Sequence, residues 1–247
     1  MVKRYLSQHL GPLVWRRIAQ AKYEFKVRKM TDFSTPEIRV HLRRLIQNQS
    51  GFYVEVGAND GRSSSNTFWL EREMNWNGLL IEPVLHKYFE MKQSRDPRKN
   101  IVAYGACVSD DFKSDYLKLY YSNLMTAPDY GEGEIFAMKG ESFLSEGEEV
   151  LPIWAPAVTL RKILNDNRVS HIDFLSVDVE GGEFGVLNGF PWETVQVDLI
   201  LIESTQDSIA CRLLEDKGYE HIVDLVNNHF YRSSEIATTL SRGVKYA

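Results

Sequence analysis

Cysteine is nearly missing from this chain. Cys107 and Cys211 are the only two among 247 residues. That leaves no disulfide framework and no cysteine-based zinc spacing, and makes a reducing compartment such as the cytoplasm the expected setting. Long apolar runs are missing as well: none approaches the roughly 20 residues that span a bilayer. Met1-Val2-Lys3-Arg4 is not followed by an unbroken apolar segment, so no secretory signal is expected. There is no internal repeat and no low-complexity tract. Basic excess is confined to one end: residues 1–30 carry +7 and the remainder −12, within a net charge of −5. The acidic body lacks the footprint of a nucleic-acid binder. What is present is ordinary, with 43% hydrophobic and 26% charged residues, enough for one sizeable α/β domain with extensions.

The most informative stretch is Gly51-Phe52-Tyr53-Val54-Glu55-Val56-Gly57-Ala58-Asn59-Asp60-Gly61. Phe52 to Val56 reads as a short buried strand between glycines. Gly57 and Gly61 follow, and Arg62-Ser63-Ser64-Ser65-Asn66 offers helix-capping side chains ahead of a helix expected over 63–74. Strand, glycine turn and helix together let a ligand approach bare backbone near helix N-terminal amides. An ordinary βα turn would also favour glycine, so the motif is weak alone.

Two acids sharpen it. Leu79-Leu80-Ile81 makes a second strand that ends in Glu82, 21 residues after Gly61, where a carboxylate can accept from both hydroxyls of a ribose. Glu55 stands two residues before the first glycine. It is poorly placed for a pyrophosphate and suits a cationic ligand, a sulfonium amino acid with its ammonium group. That favours S-adenosylmethionine over a nicotinamide cofactor.

The rest of the chain reads in order. Residues 1–30 form a basic arm with Leu6, Leu10, Leu13, Val14 and Ile18 at helical spacing. It suits packing on its own domain or on a second subunit, peripheral contact with an anionic membrane, or a targeting role. Thr35-Pro36 starts a packing helix running to about Gln47. Pro83 opens another helix. Ile101 to Tyr104 is a third strand, and the small residues Gly105, Ala106 and Cys107 at its end either leave room for a flat adenine or simply pack closely. Tyr116 to Tyr121 alternates like an edge strand. Residues 122–157 read as a long, acidic, glycine-rich loop, a candidate substrate lid.

A second block, Ile172-Asp173-Phe174-Leu175-Ser176-Val177-Asp178-Val179-Glu180-Gly181-Gly182, repeats the pattern of strand, acid and glycine turn. Ligands of open α/β sheets bind beyond the C-terminal strand ends, so Asp178 and Glu180 share a rim with Glu55, Gly57 and Glu82. Val197 to Ile202 is a fifth strand, ending at the same rim in Glu203. His221 to Val226 and His229 to Tyr231 form a hairpin about Asn227-Asn228. Among the histidines, His171 and His221 begin parallel strands at the opposite rim, and His9, His41 and His86 lie on helices. His229 alone reaches the ligand side. The candidates for a general base are therefore His229, Glu180 and Asp178. Asp178, Glu180 and Glu203 would also suit a hard ion such as Mg²⁺, but acids at strand ends equally hold cofactor or cap helices, and no metal site is assigned.

Val54 to Gly61, Ile81-Glu82-Pro83 and Phe174 to Gly181 together resemble the FkbM family of S-adenosylmethionine-dependent methyltransferases, over residues 50–232. The resemblance implies a Rossmann-like class I methyltransferase fold, with helices on both faces of a seven-stranded, mostly parallel sheet whose last strand is reversed. It implies methyl transfer to a hydroxyl, often of a sugar, glycan or natural product, with Glu55, Gly57, Asn59 and Gly61 at the methionine end of the cofactor and Glu82 on the ribose. The chain is expected to divide into a helical extension over 1–49 and a catalytic domain over 50–247, and Ala58, Ala106, Cys107 and Asp178 are expected to complete the cofactor site. The chain has Glu55 where the family commonly has Asp, and Arg161 where it often has an acid. A non-catalytic module on the same fold and a nicotinamide oxidoreductase are the rival readings.

Overall fold

A computed structural model describes residues 35–131, 133–144 and 148–234. The basic arm expected over 1–30 lies outside the described residues. The elements in chain order are α1 (Pro36–Leu45), β1 (Phe52–Val56), α2 (Phe68–Glu73), β2 (Asn77–Glu82), α3 (Leu85–Ser94), β3 (Asn100–Tyr104), β4 (Ala106–Val108), β5 (Tyr116–Tyr121), β6 (Ala127–Pro128) and α4 (Gly133–Met138). They continue with β7 (Leu151–Thr159), α5 (Leu160–Asp166), β8 (His171–Val177), α6 (Glu183–Asn188), β9 (Gln196–Glu203), α7 (Ile209–Asp216), β10 (Tyr219–Leu225) and β11 (Asn228–Ser233).

Seven strands form the main sheet in the order β3-β2-β1-β8-β9-β11-β10. β11 runs antiparallel to both of its neighbours, and the other pairings are parallel. This is the arrangement expected from the sequence: an α/β sheet with one reversed strand. The period of two in a strand separates its faces. Val54, Val56, Leu79, Ile81, Leu175 and Val177 pack under α5, α6 and α7, whereas Tyr53, Leu80, Phe174 and Phe230 pack under α1, α2 and α3. Both faces being covered explains why these strands are apolar almost throughout. Among the described residues, no helix is long and apolar enough to cross a membrane.

Three expectations change. Gly105, at φ +154°, ends β3 and turns the chain into β4. β4 belongs to a second, four-stranded sheet ordered β4-β7-β5-β6. The stretch 122–157, read as a loop, therefore holds β6, α4 and most of β7. β5 is no edge strand, because β7 pairs along its whole length and β6 against its end. The cue was obscured because Pro152 and Pro156 interrupt the β pattern of β7. Finally, α2 begins at Phe68 rather than 63. Ser65, Asn66 and Thr67 hold the Glu55 carboxylate instead of continuing a helix, a competition that short polar side chains often win.

Candidate functional site

The order of the main sheet reverses at β1 and β8, which lie side by side at its centre. The chain leaves their C-terminal ends for helices on opposite faces of the sheet, and open α/β sheets bind ligands at such a switch point. A cavity lined by both turns occupies that place, with about 880 Å³ of empty space when the solvent at its open mouth is counted. Its floor is the turn after β1. Gly57 sits at φ +85°, and a Cβ there would lie 1.8 Å from the Asp178 carbonyl oxygen. Only glycine lets the turns after β1 and β8 approach this closely. The Gly57 and Ala58 amides donate to the Ile81 carbonyl, at 3.1 Å each, which aligns the turn with the end of β2.

Glu82, at that strand end, is buried. Its two carboxylate oxygens accept from the Asn59 amide at 2.7 Å and the Val84 amide at 2.8 Å. Each oxygen keeps lone-pair capacity. Burial pushes its pKa up to about 7, against the pull of the two amides. Across the cavity, Asp178 and Glu180 follow β8. Burial, then the neighbouring Glu203, Glu180 and Glu183, hold Asp178 well above the carboxylate range. Burial and Glu203 raise Glu180 to about 8. Glu183 and Glu203 are raised too, chiefly by burial. Carboxyls so crowded and desolvated resist ionising together, and a bound cation would relieve them.

Glu55, Gly57, Ala58, Asn59, Glu82, Ala106, Cys107, Asp178 and Glu180 all line this cavity. Gly61 does not. It faces α3, where a Cβ would meet Ser94 and Met91, and its carbonyl accepts from Arg95 Nε at 2.6 Å. His229 does not either: it is buried between Asp224, on Nδ1, and the Ser204 carbonyl, 2.9 Å from Nε2. The hairpin turn does reach the ligand rim, but the His229 side chain is directed away from the cavity, so it is withdrawn as a base. Glu55 also departs from its expected role. Its carboxylate is filled by Ser65, the Asn66 amide, Thr67 and the buried Arg95 guanidinium at 3.0 Å, so it organises the turn rather than meeting an ammonium group directly. Cys107 is a neutral wall, its thiol pushed up to about 12 by burial. Asp178, Glu180 and Glu203 do not form a cluster whose ligand atoms all lie within 4.8 Å of one another.

Sequence reading missed two parts of the wall. Asn66 lines the cavity with its Oδ1 buried and lacking a hydrogen-bond partner, while its Nδ2 donates to Ser176 at 3.1 Å. It was visible only as part of a polar run before α2. The opposite wall comes from the second sheet and its connections, through Leu117, Leu119, Asn123, Thr126 and Tyr130. No local motif marks these residues, because their position depends on β5 pairing with β7. The donor set fits an amino-acid nucleoside with a cationic centre: an orphaned acceptor for an ammonium group, a backbone-held carboxylate for a diol, small residues beside it, and several carboxyls around the centre.

Residues 55–232 match the model of the methyltransferase FkbM domain. No curated protein sequence matches. Among solved structures, the precorrin-6y C5,15-methyltransferase of Geobacter metallireducens is similar at 13% identity over 82% of this chain and 89% of that one, with a TM-score of 0.40. The FkbM methyltransferase of Methylobacillus flagellatus is similar at 12% identity over 81% of this chain and 48% of that one, with a TM-score of 0.42. A family match over 55–232 takes in both acid-and-glycine turns, Glu82 and the whole second sheet, and on that ground the chain belongs to the FkbM methyltransferase family.

Proposed function

We propose that this protein transfers a methyl group from S-adenosylmethionine to a hydroxyl of a sugar, glycan or natural-product acceptor. The observation that carries the cofactor assignment is Glu82. It is a buried carboxylate fixed by two backbone amides at the end of β2, and it lines the cavity. That arrangement accepts from two vicinal hydroxyls. Asn66 Oδ1 would take the ammonium group, and Ala106 and Cys107 would flank the base.

When bound, the cofactor supplies an already activated methyl on a sulfonium centre. The chain's own work is alignment and proton removal. Alignment of two reactants can supply roughly 7–11 kcal/mol of a barrier. Glu180 lies on the cavity wall across from Glu82, and with its pKa near 8 it is close to the working range of a general base. A nearby positive charge favours its ionised form, readying it to accept a hydroxyl proton. Asp178 sits beside it and holds the acceptor side of the cavity acidic. Asn123, Thr126 and Tyr130 offer polar atoms on the opposite wall, which suits an acceptor rich in hydroxyls.

The test is calorimetric titration with S-adenosylhomocysteine and with NAD, followed by turnover on a panel of hydroxylated acceptors. The nucleoside should bind in the micromolar range, at least about tenfold more weakly in Glu82→Ala, and NAD should not bind. Glu180→Gln should retain binding and lower turnover by about 10²–10⁴-fold. NAD binding in place of the nucleoside would overturn the cofactor assignment. Binding without turnover on any hydroxyl would overturn O-methylation.

A further inference from the structure

Away from the cavity, the hairpin of β10 and β11 gathers two histidines and an aspartate. Asp224 pairs directly with His229. A regular ladder would then place Ile222 opposite Tyr231. Instead the register shifts between His221 and Val223, and His221 takes that position. A bulge of this kind re-aims a side chain. Here it puts His221 on the same face as Asp224 and His229. His221 Nε2 lies 2.7 Å from Asp224 Oδ1, and His229 Nδ1 lies 2.5 Å from the same oxygen. The three ligand atoms all fall within 4.8 Å of one another.

The hydrogen bonding of His229 points further. Its ring is buried, and its two nitrogens face the Asp224 carboxylate and the Ser204 carbonyl, both acceptors. With Nε2–H donating to the Ser204 carbonyl, the other ring nitrogen, Nδ1, faces Asp224 on the side that also holds His221. Metal-bound histidines usually donate their other N–H to a backbone carbonyl or carboxylate, and bound carboxylates are themselves hydrogen-bonded. Asp224 meets the second condition, since its Oδ2 accepts from Gln206 Nε2 at 3.3 Å.

We propose that His221, Asp224 and His229 form a binding site for a divalent transition metal of the zinc type, separate from the catalytic cavity. Two imidazoles and one carboxylate suit zinc and its neighbours rather than Mg²⁺ or Ca²⁺, which prefer oxygen ligands. The ligand atoms must spread to take an ion, since atoms about 2.0–2.2 Å from one tetrahedral metal lie roughly 3.3 Å apart; His221, its side chain 34% exposed, stands at the open side of the cluster. The ion would fasten the hairpin to the segment leaving β9, where Ser204 also donates its amide to the Asn227 carbonyl at 2.7 Å. That segment directly follows Glu203, the acid beside Asp178, so the metal's role is to brace one side of the cavity rim.

The experiment uses the full chain after chelator dialysis. Zn²⁺ binding is measured by calorimetry and thermal melting, and Co²⁺ binding by its visible absorption. One equivalent of Zn²⁺ should bind with micromolar or tighter affinity and raise the melting temperature, undisturbed by excess Mg²⁺. Co²⁺ should show d–d bands of a nitrogen-ligated site. His221→Ala and Asp224→Asn should each weaken Zn²⁺ by at least about tenfold, while His171→Ala, in the exposed cluster with Asp173 and Asp198, should bind as wild type. Failure of the wild-type chain to bind Zn²⁺, or unchanged binding in His221→Ala, would overturn the proposal. Loss of binding in His171→Ala alone would place the ion at the other cluster and overturn it equally.

Discussion

Arg95 is the residue on which the glycine turn rests. It stands just past α3, buried, and its guanidinium reaches Glu55 at 3.0 Å, Glu71 at 3.2 Å, the Tyr53 hydroxyl at 3.1 Å and, through Nε, the Gly61 carbonyl at 2.6 Å. Ser65 and Thr67 also lie within 2.9 Å of Nη2. The planar fork of an arginine can meet these partners together, and lysine could not. Removing it would leave two buried carboxylates without their counter-ion. Arg95→Leu should lose about 3–5 kcal/mol of stability, read from urea unfolding. A loss under about 1 kcal/mol would mean that the network relaxes or hydrates. Glu55 was legible in the sequence as an important acid, but its partner was not: Arg95 lies 40 positions away, and only folding places α3 over the turn.

At the scale of elements, most boundaries followed from local chemistry. Ser208 caps α7, accepting from the Cys211 amide, and Thr159 caps α5 through the Lys162 amide. The hairpin turn was legible only approximately. Asn227-Asn228 is the obvious turn pair, but Leu225 pairs with Asn228, so the turn residues are Val226 and Asn227. Val226 is therefore held at φ +58° while 93% exposed. A left-handed conformation costs an L-residue roughly 1–2 kcal/mol, and glycine is exempt. Val226→Gly should stabilise the protein by about 0.5–1 kcal/mol after the extra chain entropy of glycine is counted. Chemical denaturation would show the gain as a higher midpoint at constant slope.

For the whole molecule, the crowded acids of the cavity set a pH dependence. Glu82 rises from 4.5 to about 7 and Glu180 from 4.5 to about 8 on folding. Between those values the folded state holds more protons than the unfolded chain, so stability falls as pH rises. The cofactor-free protein should lose melting temperature steadily from about pH 5 to pH 8, and Glu180→Gln should flatten the slope. Binding of a sulfonium cation should release protons near pH 7, seen as a dependence of calorimetric heat on buffer ionisation enthalpy. A flat melting profile in the wild-type chain would mean that water reaches these carboxyls more freely than their burial suggests.

The sequence by itself determined the order of the main sheet's strands and the helices that link them, the two acid-and-glycine turns, and the placing of Glu82, Asp178 and Glu180 on one rim. Periodicity, caps and glycine turns are local, and the parallel sheet that follows from them aligns all its C-terminal ends. Three things were decided only by tertiary structure. Pairing of β5 with β7 built the second sheet and the far wall of the cavity. Arg95 claimed Glu55. The alternation of β11 carried His229 away from the cavity to Asp224 and the bulged His221. Each depends on which distant residue arrives opposite a given side chain, and spacing along the chain does not encode that.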